Sequence, residues 1–431
     1  MDLLAALDPE QRQAVEAVTG PVCILAGAGT GKTRAITHRI AAMVHGGVAA
    51  PAQVLAVTFT TRAAGEMRGR LRALGVERVQ ARTFHSAALR QLRYFWPRLS
   101  AGPQPTIIES KLPSIRVAAG RLRVHLDPAG QRDAASEIEW AKAAQVPTDS
   151  YAAESAAAGR QPPLDSATMQ KLIAAYEDVN NERGQFDFED LLVMTAYAIE
   201  QHRDIAAEVR EQYRHFVVDE YQDVNPLQQR LLDAWLGDRD SLCVVGDPNQ
   251  TIYSFTGASA DYLTDFARRW PGATVVRLVR DYRSTEQVVA MANKLMPDAR
   301  LAAQAGTGSE PTIASYDDEP AEAAAVARRV AALAREGVPL REMAVLYRVN
   351  AQSEVYEAAL SAADIPYVVR GGQRFFDRPE VREGVVRLRG ATKAANARGE
   401  SSKNTAQRIS AWSGRSRKEI YQRVLLRRRE E

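Results

Sequence analysis

One glycine-rich segment, AGAGTGKT at residues 26–33, constrains the fold of this chain more than any other feature. It follows an apolar, β-branched run (22–27) and opens a segment with apolar residues at helical spacing (33–43). A strand, a glycine loop and a helix in this order form a phosphate-binding loop, in which backbone N–H groups and the helix N-terminus hold phosphate oxygens. Lys32 would contact the β- and γ-phosphates and the Thr33 hydroxyl would ligate Mg²⁺, so the segment predicts a Mg-ATP site.

The candidate nucleotide contacts of this loop are eight consecutive residues: Ala26, Gly27, Ala28, Gly29, Thr30, Gly31, Lys32 and Thr33. The general pattern begins with glycine, so Ala26 is a departure from it. A chance glycine turn is the alternative explanation. The coincidence of a strand, a loop, a Lys-Thr pair and an amphipathic helix argues against that alternative.

A second apolar run, FVV (216–218), ends in two adjacent acids, Asp219 and Glu220. Asp219 would hold Mg²⁺, often through water, and Glu220 would orient and deprotonate the attacking water. When a strand that ends in Asp-Glu occurs without other motifs, the two acids are more often solvent-exposed side chains than catalytic residues. Together with the phosphate loop, it predicts the second half of an ATPase site.

Short apolar, β-branched runs alternate with helical patterns over residues 1–285, which is typical of a parallel sheet in an α/β fold. The candidate strands are VCILAG (22–27), VLAVTFT (54–60), VQARTFH (79–85), HFVVDE (215–220), SLCVVGD (241–247) and ATVVRLV (273–279). We therefore expect a first α/β domain that ends near residue 285.

Other segments depart from this alternation. Residues from about 100 to 185 are Ala-rich, polar and helical in pattern, and we interpret them as a helical insertion into the first domain. Residues 286–390 predict an incomplete second α/β domain. Its candidate elements are strands at 312–316, 343–349 and 366–371 and a helix at 320–336. Residues 391–431 form a polar linker and a basic, helical tail.

Charge is distributed unevenly along the chain. The formal net charge is +3, but residues 397–431 hold ten Lys or Arg and four Asp or Glu, so the remainder is slightly acidic. Binding of nucleic acid by the main body must therefore depend on a local groove.

The two cysteines, Cys23 and Cys243, lie in short apolar runs and are predicted to be buried free thiols. No apolar run approaches the ~20 residues of a membrane span. The N-terminus has neither a basic start nor a cleavable apolar stretch, so we expect a cytoplasmic protein.

Six motifs follow one another in the order that is known from superfamily 1 helicases of the UvrD/PcrA/Rep group. They are AGAGTGKT (26–33), VTFTTRAAGEM (57–67), TFHS (83–86), VVDEYQD (217–223), VVGDPNQTIYSFTGA (244–258) and RDYRS (280–284). The chain resembles this family over roughly residues 4–390. The resemblance implies a P-loop (RecA-like) sheet domain with a helical insertion, followed by a partial second RecA-like domain.

The resemblance also implies roles for residues around the nucleotide. Gln11 would read the adenine edge, and Tyr282 would stack on the adenine ring. Arg34 would lie near the nucleotide, and Gln250 would sense the γ-phosphate. Arg283 would act as an arginine finger from the inter-domain side, because a planar guanidinium suits the charge of a transferring phosphoryl group.

A track for single-stranded DNA would cross both domains. The resemblance assigns to it the aromatic residues Phe59, Tyr253 and Phe255, the first-domain residues Thr83 and His85, and the second-domain residues Arg348 and Asn350. Aromatic side chains stack on bases of any sequence. Relatives usually carry tryptophan and arginine where this chain has Phe255 and Thr256, and asparagine-lysine where it has Thr61 and Arg62. The first two departures would weaken the grip on DNA.

Two motifs of the family, a His/Ala-Lys-Gly-Leu segment and a Thr-Arg-Ala segment with a second arginine finger, are missing from this sequence. We therefore expect nucleotide binding to survive, hydrolysis to be much reduced and unwinding to be impaired. The tail from residue 404 reads as two short helices. A solvated basic terminus, a DNA-binding helix-turn-helix and a frame-shifted or fused end are its alternative explanations.

The resemblance implies an ATP-driven helicase and translocase of 3′→5′ polarity in DNA repair or replication. Its cofactors would be ATP and Mg²⁺, and its partner would be single-stranded DNA or a duplex/single-strand junction. The alternative is a truncated module that binds ATP and DNA without unwinding. A helicase–nuclease would need a C-terminal carboxylate-lysine core or a cysteine cluster, and this sequence has neither.

Overall fold

The structure, a computed structural model, describes residues 3–296 and 300–370. Ten strands occur in these ranges: β1 (Val22–Ala26), β2 (Val54–Thr58), β3 (Gln80–Thr83), β4 (Thr106–Ile107), β5 (Gln185–Phe186), β6 (His215–Val218), β7 (Leu242–Gly246), β8 (Thr274–Leu278), β9 (Arg280–Asp281) and β10 (Ala302–Ala303). The predicted linker and basic tail lie outside the described residues.

Sixteen α-helices occur in the same ranges. They are α1 (Pro9–Glu16), α2 (Lys32–His45), α3 (Thr61–Ala73), α4 (Phe84–Leu99), α5 (Leu112–Leu122), α6 (Pro128–Ala143), α7 (Tyr151–Ala157), α8 (Ser166–Glu182), α9 (Phe188–Gln201), α10 (Arg203–Gln212), α11 (Pro226–Leu236), α12 (Asp261–Thr264), α13 (Phe266–Arg269), α14 (Glu286–Leu295), α15 (Glu319–Arg335) and α16 (Ser353–Ala362). Within the described ranges, no helix is both long and apolar enough to cross a membrane.

Six strands form one parallel sheet in the order β3-β2-β6-β7-β1-β8. The six strands predicted for the first domain are confirmed, each one to three residues shorter than its apolar run. All residues of β2 and β7 are buried, because helices cover both faces of the sheet. The parallel arrangement places the carboxyl ends of β1, β2, β6 and β7 at the same edge.

Large side chains fill the core on each face of the sheet. On one face, the Trp235 ring stacks between Phe84 and Phe216, at centroid distances of 5.9 and 6.3 Å. Its indole N–H donates to Oε1 of Gln91 at 2.7 Å, so the polar atom of this buried ring is satisfied. Both cysteines are buried free thiols, as predicted.

Helices α5 to α8 lie between β4 and β5, in the segment that we interpreted as an insertion, and they have a core of their own. Helices α5 to α8 pack around the buried side chains of Ile115, Ile138, Tyr151 and Tyr176. The short parallel pair β4 and β5 joins the start of the insertion to the segment that returns to the sheet. The insertion therefore has its own hydrophobic core, and the chain enters it after α4 and leaves it before α9.

The first compact unit ends at Pro311, beyond the boundary near 285 that we predicted. In the second unit, α15 and α16 pack through Ala323, Ala327, Tyr356 and Leu360, which are all buried. The strands that we predicted at 312–316, 343–349 and 366–371 are not formed in the described residues, which corrects that prediction. A strand needs a neighbouring strand for its backbone groups, and none pairs with these segments among the described residues. The N–H groups of Arg348 and Val349 donate instead to the side chain of Gln352, and Leu346 is 91% exposed.

A buried ionic cluster ties the insertion to α9. Nζ of Lys142 lies 2.8 Å from Oδ2 of Asp187, 2.7 Å from Oδ1 of Asp190 and 2.8 Å from Oε1 of Glu177. The Tyr176 hydroxyl donates to the same Asp187 oxygen at 2.8 Å. Burial lowers the pKa of Lys142, but the carboxylates outweigh burial and hold it well above its usual value. The cluster keeps its cation and fixes the orientation of the start of α9.

Replacement of Lys142 by Met should destabilise the protein by roughly 3–5 kcal/mol, because it leaves buried carboxylates without their counter-ion. The free energy of unfolding in urea, followed by circular dichroism, measures the effect. Lys171→Met, at an exposed position of α8, is the matched control and should change it by less than about 0.5 kcal/mol. Equal stabilities for the two variants would contradict the role of the cluster.

His85 adds a pH dependence to the stability of the same region. Burial, with a contribution from Lys111, lowers the pKa of His85 from 6.5 to about 4. Between these values the unfolded chain binds a proton that the native protein does not, so acidification favours unfolding. The stability of the wild type relative to His85→Gln should therefore fall, by at most about 3 kcal/mol, as the pH drops through this window. Urea unfolding at several pH values tests this, and a constant difference would disprove it.

Candidate nucleotide and nucleic-acid sites

The phosphate loop has the geometry that its glycines require. Gly29 and Gly31 adopt left-handed φ values of 74° and 83°. A Cβ at Gly29 would lie 2.1 Å from Oδ1 of Asp281, and one at Gly31 would lie 2.6 Å from Nε2 of Gln11. Both positions therefore need glycine for the backbone conformation and for the close approach of neighbouring side chains. Ala26, the departure from the pattern, is a buried strand residue that pairs with Leu278.

The two halves of the predicted ATPase site meet in an ion pair. Nζ of Lys32, at the start of α2, lies 2.9 Å from Oε2 of Glu220, just beyond the end of β6. Glu220 has a left-handed φ of 52°, a strained conformation for a side-chain-bearing residue. The preceding Asp219 is buried, and burial together with Glu220 raises its pKa to about 6. The strand end thus holds two crowded carboxylates and a single lysine.

A chain of hydrogen bonds links Glu220 to the end of β7, and two of its members were not predicted. The buried Gln222 donates to Oε2 of Glu220 at 3.1 Å and accepts from the N–H of Asp247 at 3.0 Å. Oδ2 of Asp247 in turn accepts from Nε2 of Gln250 at 2.7 Å. Gln222 and Asp247 belong to two of the motifs, VVDEYQD and VVGDPNQ, and the motifs were the signal that could have found them.

The RDYRS segment lies against the phosphate loop. The N–H of Tyr282 donates to the carbonyl of Gly29 at 3.0 Å, and its hydroxyl donates to Oδ2 of Asp8 at 2.8 Å. Asp281, which is 2% exposed, accepts from the N–H groups of Arg283 at 2.7 Å and Ser284 at 3.0 Å. Asp281 was not predicted. It turns the chain so that the exposed Arg283 stands beside Gly29.

The N-terminal segment supports the loop from the other side. Asp8 caps α1 by accepting from the N–H of Gln11 at 2.7 Å. The buried Gln11 donates through Nε2 to the carbonyl of Thr30 at 3.0 Å. Arg34 donates to the carbonyl of Ala6 at 2.6 Å. Gln11 and Arg34 are thus brought to the phosphate loop, and both already have partners on the protein.

The three aromatic residues predicted to contact DNA lie together. The rings of Phe59 and Tyr253 stack at a centroid distance of 6.4 Å and an angle of 10°, and Phe255 lies 6.1 Å from Tyr253. Phe255 is 64% exposed, so its ring can receive a base. Arg160 of the insertion donates to the Phe255 carbonyl at 3.1 Å, which holds this loop from the insertion side.

A cavity of about 730 Å³ opens between the sheet and the insertion, and Phe59, Thr83 and His85 line it together with Lys111. Thr83 also forms a capping box with Ser86 at the start of α4. Phe188 lines the cavity as well, with its ring edge-on to His85 at 5.9 Å. Phe188 was not predicted, although its position before a run of acids and leucines, FEDLL, marks a helix start.

Arg348 and Asn350 belong to the second compact unit. Both are exposed, and Asn350 begins a short 3₁₀ turn. The backbone N–H of Arg348 donates to Oε1 of Gln352 at 2.9 Å, and the residue as a whole is exposed.

Two protein families match the chain. The UvrD/REP helicase N-terminal domain matches residues 7–271, and the UvrD-like helicase C-terminal domain matches residues 276–429. The second match includes the residues that we assigned to a linker and a tail.

Several curated relatives match over 90% of the chain. The ATP-dependent DNA helicase UvrD2 of Mycobacterium tuberculosis (strain ATCC 25618 / H37Rv) is 55% identical over 407 residues, which are 58% of its length. The ATP-dependent DNA helicase PcrA is 31% identical over 406 residues in Staphylococcus epidermidis (strain ATCC 12228 / FDA PCI 1200), covering 54% of its length. It is 30% identical over 405 residues in Staphylococcus aureus (strain COL), also covering 54%. The chain thus spans a little over half the length of these relatives.

The first family match covers more than half of the chain, and its motifs lie where the structure brings together the phosphate loop, the acidic strand end and the RDYRS segment. The chain therefore belongs to the UvrD/REP helicase family, in its UvrD/PcrA group within superfamily 1.

Proposed function

We propose that this chain binds Mg-ATP and couples its hydrolysis to 3′→5′ movement along single-stranded DNA, in DNA repair or replication in the cytoplasm. The observation that carries the proposal is the ion pair of 2.9 Å between Lys32 and Glu220, which joins the phosphate loop to the acidic strand end. The names of the relatives support the reaction class, and the polarity and the process follow from the family resemblance.

The residues at the strand end fit a divalent cation. Burial and the neighbouring Glu220 raise the pKa of Asp219, and a cation beside these crowded carboxylates would lower the free energy of the charged form. Mg²⁺ commonly uses one or two protein ligands and completes its shell with phosphate oxygens and water. Asp219 and the Thr33 hydroxyl would be those ligands, and the ion would neutralise charge on the phosphates.

Glu220 would act as the general base, and its ion pair with Lys32 would control when its carboxylate is free to accept a proton. Lys32 neutralises the Glu220 carboxylate in the structure. Phosphate oxygens in the loop would compete for Lys32 and release Glu220 to accept a proton from water. Gln222 holds Glu220 from the other side and connects it to Asp247 and Gln250. This connection gives Gln250 a physical route to sense the state of the phosphates.

Arg283 would stabilise the charge that develops on the transferring phosphoryl group. Its side chain is exposed beside Gly29, and the buried Asp281 fixes the backbone on which it stands. Gln11 and Arg34 would complete the site near the base. Tyr282 would stack on adenine while its hydroxyl remains bonded to Asp8.

Single-stranded DNA would follow the exposed aromatic residues and the adjoining cavity. Phe255 and Tyr253 offer ring faces to bases, and Thr83, His85 and Phe188 line the cavity beside Phe59. Base stacking on such rings contributes about 1–3 kcal/mol per base without regard to sequence. Arg348 and Asn350 would contact the strand backbone from the second unit.

A module that binds ATP and DNA without unwinding is the second candidate. One observation favours it: the segments at 312–316 and 343–349 form no strands in the described part of the second unit, and apolar side chains such as Ile313, Leu346 and Val349 are exposed. Motion along DNA requires two well-formed domains that close around ATP. The two candidates share the same first-domain site and differ in turnover.

The first experiment measures ATP hydrolysis by the purified chain with and without single-stranded DNA, beside Lys32→Ala. We expect stimulated turnover in the wild type and a loss of at least about 100-fold in the variant, because Lys32 contacts the phosphates. Nucleotide binding without stimulated turnover would favour the binding module instead.

Asp281→Ala tests the support of Arg283. It should lower kcat by roughly 10–100-fold and change KM for ATP little, because a misplaced arginine finger affects the transition state more than ground-state binding. Arg283→Ala should have a comparable or larger effect, and the double variant should be no worse than Arg283→Ala. Asp204→Ala, which removes an exposed carboxylate paired with Arg98, is the control and should leave both constants unchanged. Additive losses in the double variant would show that Asp281 acts independently of Arg283.

A further inference from the structure

Five arginines surround one edge of the sheet, at a strand that carries none of the proposed ATPase residues Lys32, Asp219 and Glu220. The edge strand is β3, which pairs in the sheet with β2 alone among the described strands. The arginines line a cavity of about 600 Å³ and are Arg68, Arg72, Arg78, Arg82 and Arg90. We call this feature the arginine cavity.

The arginines approach the edge from both faces of the sheet. Arg68 and Arg72 belong to α3, which packs into the core cluster on one face through Leu71. Arg90 belongs to α4, which packs into the core cluster on the other face. Arg82 lies in β3, and Arg78 lies in the preceding loop. The convergence is therefore set by the fold and not by a run of basic sequence.

These guanidinium groups lack carboxylate partners in the described structure. Elsewhere in the first unit, arginines such as Arg62 and Arg121 form ion pairs with Glu66 and Glu182. In the cavity, the contacts run to neutral oxygens: Arg68 donates to the Ala81 carbonyl, and Arg82 donates to Oε1 of Gln80. One carboxylate, Glu77, lines the cavity, and it forms no ion pair with the five in this part of the chain.

Like charges are held close together there. Burial lowers the pKa of Arg82, and the nearby Arg90 and Arg68 add to the effect. Mutual repulsion raises the free energy of the native state, and an anion between the guanidinium groups would relieve it. Planar guanidinium groups with forked donors suit phosphate oxygens in particular.

The floor of the cavity argues against a protein partner. Its apolar side chains, Leu71, Val76 and Val79, are all buried. The cavity therefore exposes no apolar surface to the hydrophobic side chain that a bound peptide normally contributes. The backbone of β3 is also poorly suited to pairing with a peptide strand, because both polar groups of Ala81 already have partners. The Ala81 carbonyl accepts from the Arg68 guanidinium group, and the Ala81 N–H donates to the Val79 carbonyl at 3.2 Å. The features that remain are charge and hydrogen-bond donors.

The arginine cavity and the proposed DNA track share two elements, β3 and α4. Arg82 precedes Thr83 in β3, and Arg90 lies in the same helix as His85. A DNA strand that occupies the track can therefore continue along β3 and α4 to the arginine cavity. A phosphodiester backbone carries one charge per nucleotide and needs no apolar socket, which matches what the cavity offers.

We propose that the arginine cavity is a second DNA-binding site, which holds the phosphodiester backbone of a strand that extends beyond the aromatic track. It contributes affinity without reading bases. The proposal rests on the proposed function only in that the ligand is the same DNA.

The test uses the whole chain with Arg72→Gln and Arg78→Asn combined. Both side chains are exposed, and asparagine tolerates the left-handed φ of 67° at residue 78. The control combines Arg203→Gln and Arg328→Gln, which remove the same charge at exposed positions elsewhere. Affinity is measured by fluorescence anisotropy over a range of salt concentrations, with labelled oligo-dT of about 8 and about 40 nucleotides, chosen to fill one site or to extend beyond it.

We expect the double variant to bind the long strand more weakly, and the slope of log affinity against log salt to fall by about 1.4, because two phosphate contacts are lost. Affinity for the short strand should be unchanged, and the control variant should match the wild type on both. A second double variant, Arg72→Lys and Arg78→Lys, should recover most of the slope, which separates lost charge from a folding defect.

Three results would overturn the proposal. An unchanged slope on the long strand would show that the arginines do not contact DNA. An equal loss on both strands would show that the substitutions act through the track. Binding of poly-glutamate that the double variant abolishes, with DNA binding unaffected, would assign the cavity to an acidic protein. Failure of the proposed function appears separately, as absence of short-strand binding or of stimulated ATP turnover in the wild type.

Discussion

The parallel pairing of β1 and β6 with their neighbours brings the two halves of the proposed ATPase site to one edge of the sheet. Because β1 lies between β7 and β8, and β6 between β2 and β7, the strand ends that carry the phosphate loop and the acids face the same edge. Lys32 and Glu220 are 188 positions apart in sequence and 2.9 Å apart in space. The helical insertion between β3 and β6 does not disturb this arrangement, because the entropy cost of a longer connection grows slowly with its length.

The charged groups of the proposed ATPase site are paired with one another in ways that a bound nucleotide would change. Lys32 is paired with a carboxylate where phosphate oxygens would bind, and the strained backbone of Glu220 brings that carboxylate to it. Asp281 fixes two backbone N–H groups and leaves no room for a side chain at Gly29. Under the proposed function, the site would be preorganised for phosphate groups, and Lys32 would exchange Glu220 for phosphate oxygens when a nucleotide binds.

The departures from the usual family residues also have local explanations. Thr256, where relatives usually carry arginine, donates its hydroxyl to the Tyr253 carbonyl and so closes its own loop. Arg62 forms an ion pair with Glu66 one helical turn away. Phe255 keeps an exposed ring on a loop whose carbonyl is bound by Arg160. The loop is therefore ordered by contacts within the protein, while its aromatic faces remain open.

The six strands of the sheet, the phosphate loop and the acidic strand end can be predicted from the sequence, because apolar periodicity and glycine conformation are local properties of the chain. The family can also be identified from the sequence, through short motifs in a fixed order. The side chains that support those motifs become evident in the folded chain. Gln222, Asp247 and Asp281 act through hydrogen bonds to residues that are near in space, and a pattern of residue types does not reveal such partners. The same holds for the arginine cavity, whose charges come from two helices, a loop and a strand and meet only because the fold brings both faces of the sheet to one free edge.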